Sequence, residues 1–288
     1  MTFKDALREK LKLKGILSEE ESLLLPAGFQ TVGKIIVLKL NPKLNDKKCI
    51  IGQAYLDLLP TIKSVYLNTG KIEGTFRTPQ QVEFIAGENN PIAEHKENGV
   101  IYRFDVTKIM FSKGNVNERK FLTKVVNKNE IIVDMFAGIG YFSLPIGKHS
   151  GVKKVFSIEL NPYAYKFLVE NIKLNHLEEK IIPILGDSKV EVVKLSDSGV
   201  KADRVIMGVF PAPKEFIKEA LMVGKKSGTI YHYEGVVEKV KYFALFEEFK
   251  EIAEKENFKC VLNSYRFVKS YGPNLYHVVL DIEASKIN

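Results

Sequence analysis

Apolar and polar positions change their spacing along the chain, and the changes divide it. Over the first twenty-odd residues Phe3, Ala6, Leu7, Leu11 and Leu13 recur among charges, which predicts an amphipathic helix able to dock on the next segment. From Gln30 to Tyr102 the texture is one of short β-branched runs at 33–40, 47–59, 63–68 and 81–87, punctuated by Asn-Pro, Asn-Thr-Gly and Gly-Glu-Asn-Asn turns. These runs predict the strands of a small α+β domain. From about residue 116, strand-like runs at 130–136, 153–160, 180–186, 202–210, 227–234 and 274–284 are separated by helical stretches such as 162–177, 214–226 and 239–257. Strand alternating with helix predicts a largely parallel sheet covered on both faces. The expected organisation is an α+β domain over 1–115 followed by an α/β domain over 116–288.

Composition agrees with that division. A chain of 288 residues exceeds the common single-domain size, and 45% apolar with 27% charged residues suffices for a sizeable core. No apolar run approaches the ~18 residues of a membrane-spanning helix, and the leading residues are charged where a secretory signal would be apolar. A soluble cytoplasmic protein with no membrane association is expected. Cys49 and Cys260 stand far apart with no neighbouring His cluster, so neither a disulfide framework nor a metal site is expected, and both thiols are expected to be buried and inert. Lys plus Arg exceed Asp plus Glu by 43 to 35, which favours a polyanionic partner, although a basic surface also serves solubility. The excess concentrates in residues 22–72, where Lys34, Lys39, Lys43, Lys47, Lys48, Lys63 and Lys71 face only Asp46 and Asp57.

The candidate chemistry begins at Ile131–Ser143, an apolar strand running through Asp134, Phe136, Gly138 and Gly140 into a helix. Ligands of open parallel sheets bind at such carboxyl ends, and glycines let the backbone approach them. Glu159 ends the next strand, 21 residues after Gly138, where a carboxylate can accept hydrogen bonds from two ribose hydroxyls. Asp187 and Ser188 follow the third strand, where an acid can accept from an exocyclic adenine amine. Three consecutive strand tips therefore converge on one nucleoside. A dinucleotide dehydrogenase would carry a third glycine where Ser143 stands, so hydride chemistry is the lesser reading.

Together, Asp-x-Phe-Ala-Gly-x-Gly, the acid closing the second strand and Glu159-x-Asn161-Pro162 resemble the Rossmann-like class I S-adenosylmethionine-dependent transferases. Within them the chain is similar to the archaeal and eukaryotic enzymes that modify the guanosine on the 3′ side of the tRNA anticodon. The resemblance rests on Gly87–Asn90, His95–Gly99, Phe111-Ser112 through Asn117-Glu118-Arg119, the 134–140 turn, Glu170–Asn175, Asp203–Met207 and Val268–Pro273. It implies S-adenosyl-L-methionine as cofactor and the anticodon stem-loop of tRNA as partner. One branch of the family methylates guanosine N1; the other, in wybutosine synthesis, transfers the 3-amino-3-carboxypropyl group to a tricyclic guanosine derivative of tRNA(Phe). The methylating branch carries Asn-Leu-Pro or a close variant where this chain has Gly208-Val209-Phe210, and tends to Pro-Arg where it has Lys113-Gly114-Asn115. Both departures point away from methylation, and the glycine after Met207 resembles the aminocarboxypropyl branch.

The resemblance also implies that Ser112 and Arg119 hold the cofactor's amino-acid end, and that Glu118 corresponds to the proton acceptor of the methylating branch; by its adjacency in sequence Arg119 is expected to keep Glu118 ionised. His95 and His232, without partners at ligand spacing, are expected to be structural or surface residues. Single-stranded loops are gripped by cations and stacked on aromatic rings, and the 22–72 lysines together with Tyr265, Arg266, Lys269 and Tyr271 offer both. Three functions stay open at this point: aminocarboxypropyl transfer first, N1-guanosine methylation second, and a non-catalytic tRNA-binding module third.

Overall fold

The computed structural model describes residues 2–70, 72–73, 78–79 and 81–287, with only the backbone at 72–73 and 78–79. The chain divides into two compact units, one comprising Met1–Glu97 and Ile101–Phe111, the other Asn98–Val100 and Ser112–Asn288.

The first unit opens with helices α1 (Phe3–Leu13) and α2 (Glu19–Leu23), each started by a capping box, Thr2 with Asp5 and Ser18 with Glu21. A four-stranded sheet follows, built from β1 (Gln30–Val32), β2 (Ile35–Leu38), β3 (Ser64–Asn68) and β6 (Val82–Gly87) in that spatial order. Between β2 and β3 runs α3 (Lys48–Leu58); β4 (Ile72–Glu73) and β5 (Thr78–Pro79) form a small ribbon, and β7 (Ile92–Glu97) pairs with β8 (Val100–Asp105). The run 47–59, expected as a strand, is therefore a helix. β2 and β3 are parallel, and two parallel neighbours cannot be joined by a tight turn, so the connection must cross over. Its buried positions Ile51, Ala54 and Tyr55 keep helical spacing, and a Cβ on Gly52 would lie 2.9 Å from the Ala86 Cβ, so α3 sits close on the sheet. Leu7, Leu11, Ile36, Leu38, Tyr55 and Val65 are central to this unit's core.

The second unit follows the predicted alternation: α4 (Val116–Val125), β9 (Ile131–Asp134), α5 (Ser143–His149), β10 (Lys154–Glu159), α6 (Pro162–Leu174), β11 (Ile181–Leu185), α7 (Ser188–Asp197), β12 (Arg204–Met207), α8 (Ile217–Val223), β13 (Thr229–Glu238), α9 (Tyr242–Lys255), β14 (Phe258–Gly272) and β15 (Leu275–Lys286). The seven strands lie in the order β11-β10-β9-β12-β13-β15-β14. The first five are parallel and β15 runs antiparallel to both its neighbours, β13 and β14, which gives the Rossmann-like α/β architecture with one hairpin at its edge. The order reverses between β9 and β12, and such a switch point opens a crevice at the strand tips. β14 escapes sequence reading because register shifts at Leu262/Ser264, Phe267/Lys269 and Ser270/Gly272 interrupt its alternation.

The two faces of this sheet differ around β13 and β15. Tyr231, Tyr233, Val278, Leu280 and Ile282 pack with Phe249 of α9 in the apolar core, where fully burying one such aliphatic side chain stabilises by roughly 1.5–3 kcal/mol. The opposite face buries His232, Glu234, His277 and Asp281.

Candidate functional site

The tips of β9, β10, β11 and β12 are tied together by backbone bonds. Met135 N donates to Ile206 O at 3.0 Å, Ala137 N to Ile158 O at 2.9 Å and Gly186 N to Glu159 O at 3.0 Å. In the turn after β9, Gly138 and Gly140 adopt left-handed φ of 59° and 96°, which a side chain would strain; a Cβ on Gly138 would also meet the Tyr141 ring at 2.6 Å. Glu159 braces the turn from the neighbouring strand, Oε2 accepting from Gly138 N and Oε1 from Asn161 N, each at 2.7 Å. Each oxygen keeps a second lone pair for a further donor. Burial pushes the Glu159 carboxyl above its usual range, against the backbone bonds that lower it.

Asp187 is exposed and caps α7, its Oδ1 accepting from Lys189 N at 2.8 Å. Leu160 and Leu185, beside Glu159 and Gly186, are 41% and 47% exposed, so flat apolar surface flanks the carboxylates. Phe136 meets Phe216 edge-on at 5.0 Å. Asp134 and Ser188 lie beneath the turn, and their observed partners are protein groups. Asp134 accepts from Ser143 Oγ at 2.6 Å, which in turn accepts from Ser157 Oγ at 2.7 Å, and Ser188 Oγ donates to Met135 O. Burial pushes the Asp134 carboxyl up to about 7 despite the Ser143 bond. A turn with free lone pairs on an acid, glycines at close approach and apolar flanks suits a nucleoside with two ribose hydroxyls.

A second group lies under α4. Glu118 is buried and receives both arms of Arg266, Nε to Oε2 at 3.0 Å and Nη2 to Oε1 at 2.7 Å. The guanidinium holding Glu118 is thus that of Arg266, where the sequence suggested Arg119. Two adjacent residues of a helix point about 100° apart, and Arg119 turns the other way, its Nη1 donating to Ser112 O at 3.1 Å. Ser112 Oγ accepts from Lys269 Nζ at 2.8 Å. Arg266 also donates to both oxygens of Asp281 and stacks 3.9 Å above the Phe121 ring, so it is a half-buried cation already held by two carboxylates. Asp281 accepts from His232 Nδ1 at 2.6 Å; Arg204 Nη1 reaches His232 Nε2 at 2.7 Å and Arg204 Nε reaches Glu130 at 3.0 Å. Burial alone would raise Asp281, but the bonds from His232, Arg266 and Ser264 outweigh it and hold the carboxyl well below its usual range. Burial holds His232 below its ordinary value, leaving it neutral and structural.

A third group was absent from sequence reading. Beyond the tip of β12, a Cβ on Gly208 would lie 2.9 Å from the Phe142 ring and 3.1 Å from Glu234 Oε1. Glu234 is 2% exposed and its Oε2 bonds His277 Nε2 at 2.9 Å, while the Phe210 ring meets His277 edge-on at 4.6 Å. Glu234 and His277 lie 43 residues apart, and no spacing rule would join them.

Part of the expected basic patch is neutralised. Lys47 pairs with Glu21, Lys48 with Glu83 at 2.7 Å and Lys63 with Glu88 at 2.9 Å, acids that all lie outside the 22–72 window. Lys34, Lys39 and Lys43 are exposed with no ion pair among the described residues, and Lys71 lies outside those residues. In the second unit Tyr265 stacks on Tyr242 at 4.0 Å, and Tyr271 is 50% exposed. Cys49 is exposed, against expectation, because α3 turns it away from the sheet; Cys260 is half-buried. Among the described residues no helix is long and apolar enough to cross a membrane. The first unit holds a small depression of its own between Gln30, Val37, Phe104 and Phe111, without a titratable side chain.

Known proteins resemble the chain over nearly its whole length. The TRM5/TYW2 methyltransferase domain matches residues 93–261, and the TYW2 N-terminal domain matches residues 7–90. A tRNA(Phe) (4-demethylwyosine(37)-C(7)) aminocarboxypropyltransferase of Methanocaldococcus jannaschii is 39% identical over 90% of this chain and 98% of its own length. The tRNA (guanine(37)-N(1))-methyltransferase Trm5b of Pyrococcus abyssi is 34% identical over 91% of this chain and 76% of its own. The crystal structure of Pyrococcus horikoshii TYW2 in complex with MeSAdo superposes with a TM-score of 0.82 at 35% identity, covering 99% of this chain and all of that one.

Proposed function

The chain belongs to the TRM5/TYW2 family, and on that premise we propose that it transfers the 3-amino-3-carboxypropyl group of S-adenosylmethionine to C7 of 4-demethylwyosine at position 37 of tRNA(Phe). The observation that carries this reading over guanosine methylation is Gly208. Relatives that methylate place an amide after the fourth parallel strand, whereas here Phe142 and Glu234 occupy the space into which a side chain at 208 would grow.

Glu159 accepts the ribose hydroxyls through its remaining lone pairs, Asp187 accepts the adenine amine, and Phe136, Leu160 and Leu185 flank the base. Gly138 and Gly140 keep the backbone close to the nucleoside. Asp134 and Ser188 serve the same ligand from below, by holding the turn. Ser112 and Arg119 stand at the amino-acid end, where a guanidinium forms charge-assisted bonds with a carboxylate. Glu118 is buried with both oxygens ion-paired to the fork of Arg266. We therefore give Glu118 the role of orienting the wall beside the target base. When bound, S-adenosylmethionine supplies a sulfonium, and whichever of its carbons faces the base in line is transferred.

The target base must leave a stacked loop to reach the strand tips, at a cost of a few kcal/mol offset by phosphate contacts and ring stacking. Lys34, Lys39 and Lys43 in one unit and Tyr265 and Tyr271 in the other are the groups offered for this, in the cytoplasm where tRNA is modified. Affinity for tRNA should then fall steeply with salt. The deciding experiment supplies tRNA(Phe) bearing 4-demethylwyosine with cofactor labelled either in the carboxyl carbon or in the methyl group. Carboxyl label on the tRNA is expected; methyl label there would overturn the assignment.

A further inference from the structure

We propose that Glu234, held by His277, accepts the proton that the target base carbon loses during transfer; the inference rests on the function proposed above. The acids buried in the second unit show why. Glu118, Glu130, Asp134 and Asp281 each have both carboxylate oxygens hydrogen-bonded by protein donors. Glu234 differs from these four: Oε2 is bonded by His277 Nε2 at 2.9 Å, and Oε1 receives no donor among the described residues; the half-buried Glu219 on α8 also leaves one oxygen without a donor among those residues, but it does not stand at a strand tip. A buried carboxylate with a bare oxygen is costly unless something comes to meet it.

What could come is set by position. Oε1 lies 3.1 Å from where a Cβ on Gly208 would stand, so the missing side chain at 208 leaves the oxygen open at the tip of β12, beside Phe142 at the end of the glycine turn. The Glu234 charge also bears on Asp134 directly beneath that turn. His277 is built to hold the carboxylate and nothing else. It is fully buried, Phe210 fixes its ring edge-on at 4.6 Å, and its Nδ1 has no hydrogen-bond partner among the described residues. With Glu234 ionised, Nε2 carries the proton and donates it to Oε2, which aims Oε1 at the opening.

The chemistry needs such a group. As the base carbon bonds to the γ-carbon, the S–C bond breaks and its electron pair passes to sulfur, leaving a neutral thioether. The base carbon then bears both its hydrogen and the new substituent. Its hydrogen leaves as a proton to Oε1, the C–H pair restores the ring system, and Glu234 ends as the neutral acid.

Glu234→Gln keeps the size of the side chain and an oxygen for His277 but cannot accept a proton. The single-turnover rate of carboxyl-label transfer should fall about 10²–10⁴-fold. Cofactor affinity by calorimetry and tRNA affinity by filter binding should stay within about threefold of wild type. Deuterium at C7 of the base should slow the variant more than wild type. A variant rate within about threefold of wild type, or a rate loss matched by an equal loss of cofactor affinity, overturns the assignment. Should the Gln variant fail to fold, Glu234→Asp keeps a carboxylate but draws it back by one methylene from the tip of β12; a rate loss of about 10²-fold with unchanged cofactor binding is expected, and an unchanged rate refutes the role. If wild-type protein transfers no carboxyl label, the proposed function falls and Glu234 with it; if wild type transfers and the variants keep pace, only Glu234 falls.

Discussion

The parallel and antiparallel halves of the central sheet build their polar groups in opposite ways. On the parallel side, β11, β10, β9 and β12 end together, and the site is made by loops that leave each tip: two glycines at positive φ, one acid bridging to their backbone, one acid capping a helix. Its members lie between Asp134 and Ser188, and its bonds join neighbouring tips. On the antiparallel side the polar groups sit on strand bodies and are brought together across the ladder. His232 stands opposite Asp281 and Val236 opposite His277 in one register; Arg266 stands opposite Val279 in the next. Glu118 and Arg266 are 148 residues apart. The first half offers a nucleoside open lone pairs at a rim, whereas the second buries charges that must satisfy one another or meet a substrate.

Substitutions should separate the halves by the quantity they change. Arg266→Ala strips both Glu118 and Asp281 of their cation, and breaking a buried pair from one side costs about 3–5 kcal/mol. Urea unfolding should show that loss; a variant as stable as wild type would mean that the antiparallel network contributes nothing to the fold.

Asp134→Asn probes the parallel half through pH. Burial raises the folded carboxyl from 3.8 to about 7, so the native protein keeps a proton that the unfolded chain releases. The stability this contributes is complete below about pH 4 and is lost as pH rises towards 7, a change of a few kcal/mol. Unfolding free energies measured at several pH values should fall over that window in wild type and fall much less in the Asn variant. Equal slopes would show that Asp134 is not held neutral.

Glu159→Ala should act on ligand affinity more than on folding. Losing charge-assisted bonds to a ribose corresponds to about 10–100-fold weaker S-adenosylmethionine binding, read by calorimetry. Unchanged affinity would move the nucleoside away from the β10 tip. The smallest effect concerns the thiols. Cys49 is exposed and should react with a maleimide at neutral pH, whereas burial pushes the Cys260 thiol up to about 12 and should leave it unlabelled, as mass spectrometry would show.

The legible parts of the molecule follow the same division. Gly138, Gly140, Glu159 and Asp187 could be placed from residue order because a βα turn fixes its own backbone and its acid comes one strand later. The helix at Lys48–Leu58 was misread as a strand because a short apolar run has no decisive period until the parallel pairing of β2 with β3 demands a crossover. Arg119 was given to Glu118 on adjacency alone, although neighbours on a helix diverge. The lysine window counted charges along the chain, while Glu21, Glu83 and Glu88 reach three of those lysines through space.

The strand–helix alternation from β9 to β13 and the glycine turn after β9 were thus written in residue order, since each depends on dihedral preferences and periodicities within a few tens of residues. Which buried carboxylates are paired at both oxygens, and that Glu234 is held at one only, was settled by folding alone. Strand register along β13, β15 and β14 decides which side chains share a face, and a one-residue slip would carry Glu234, His277 and Asp281 to the apolar side of the sheet.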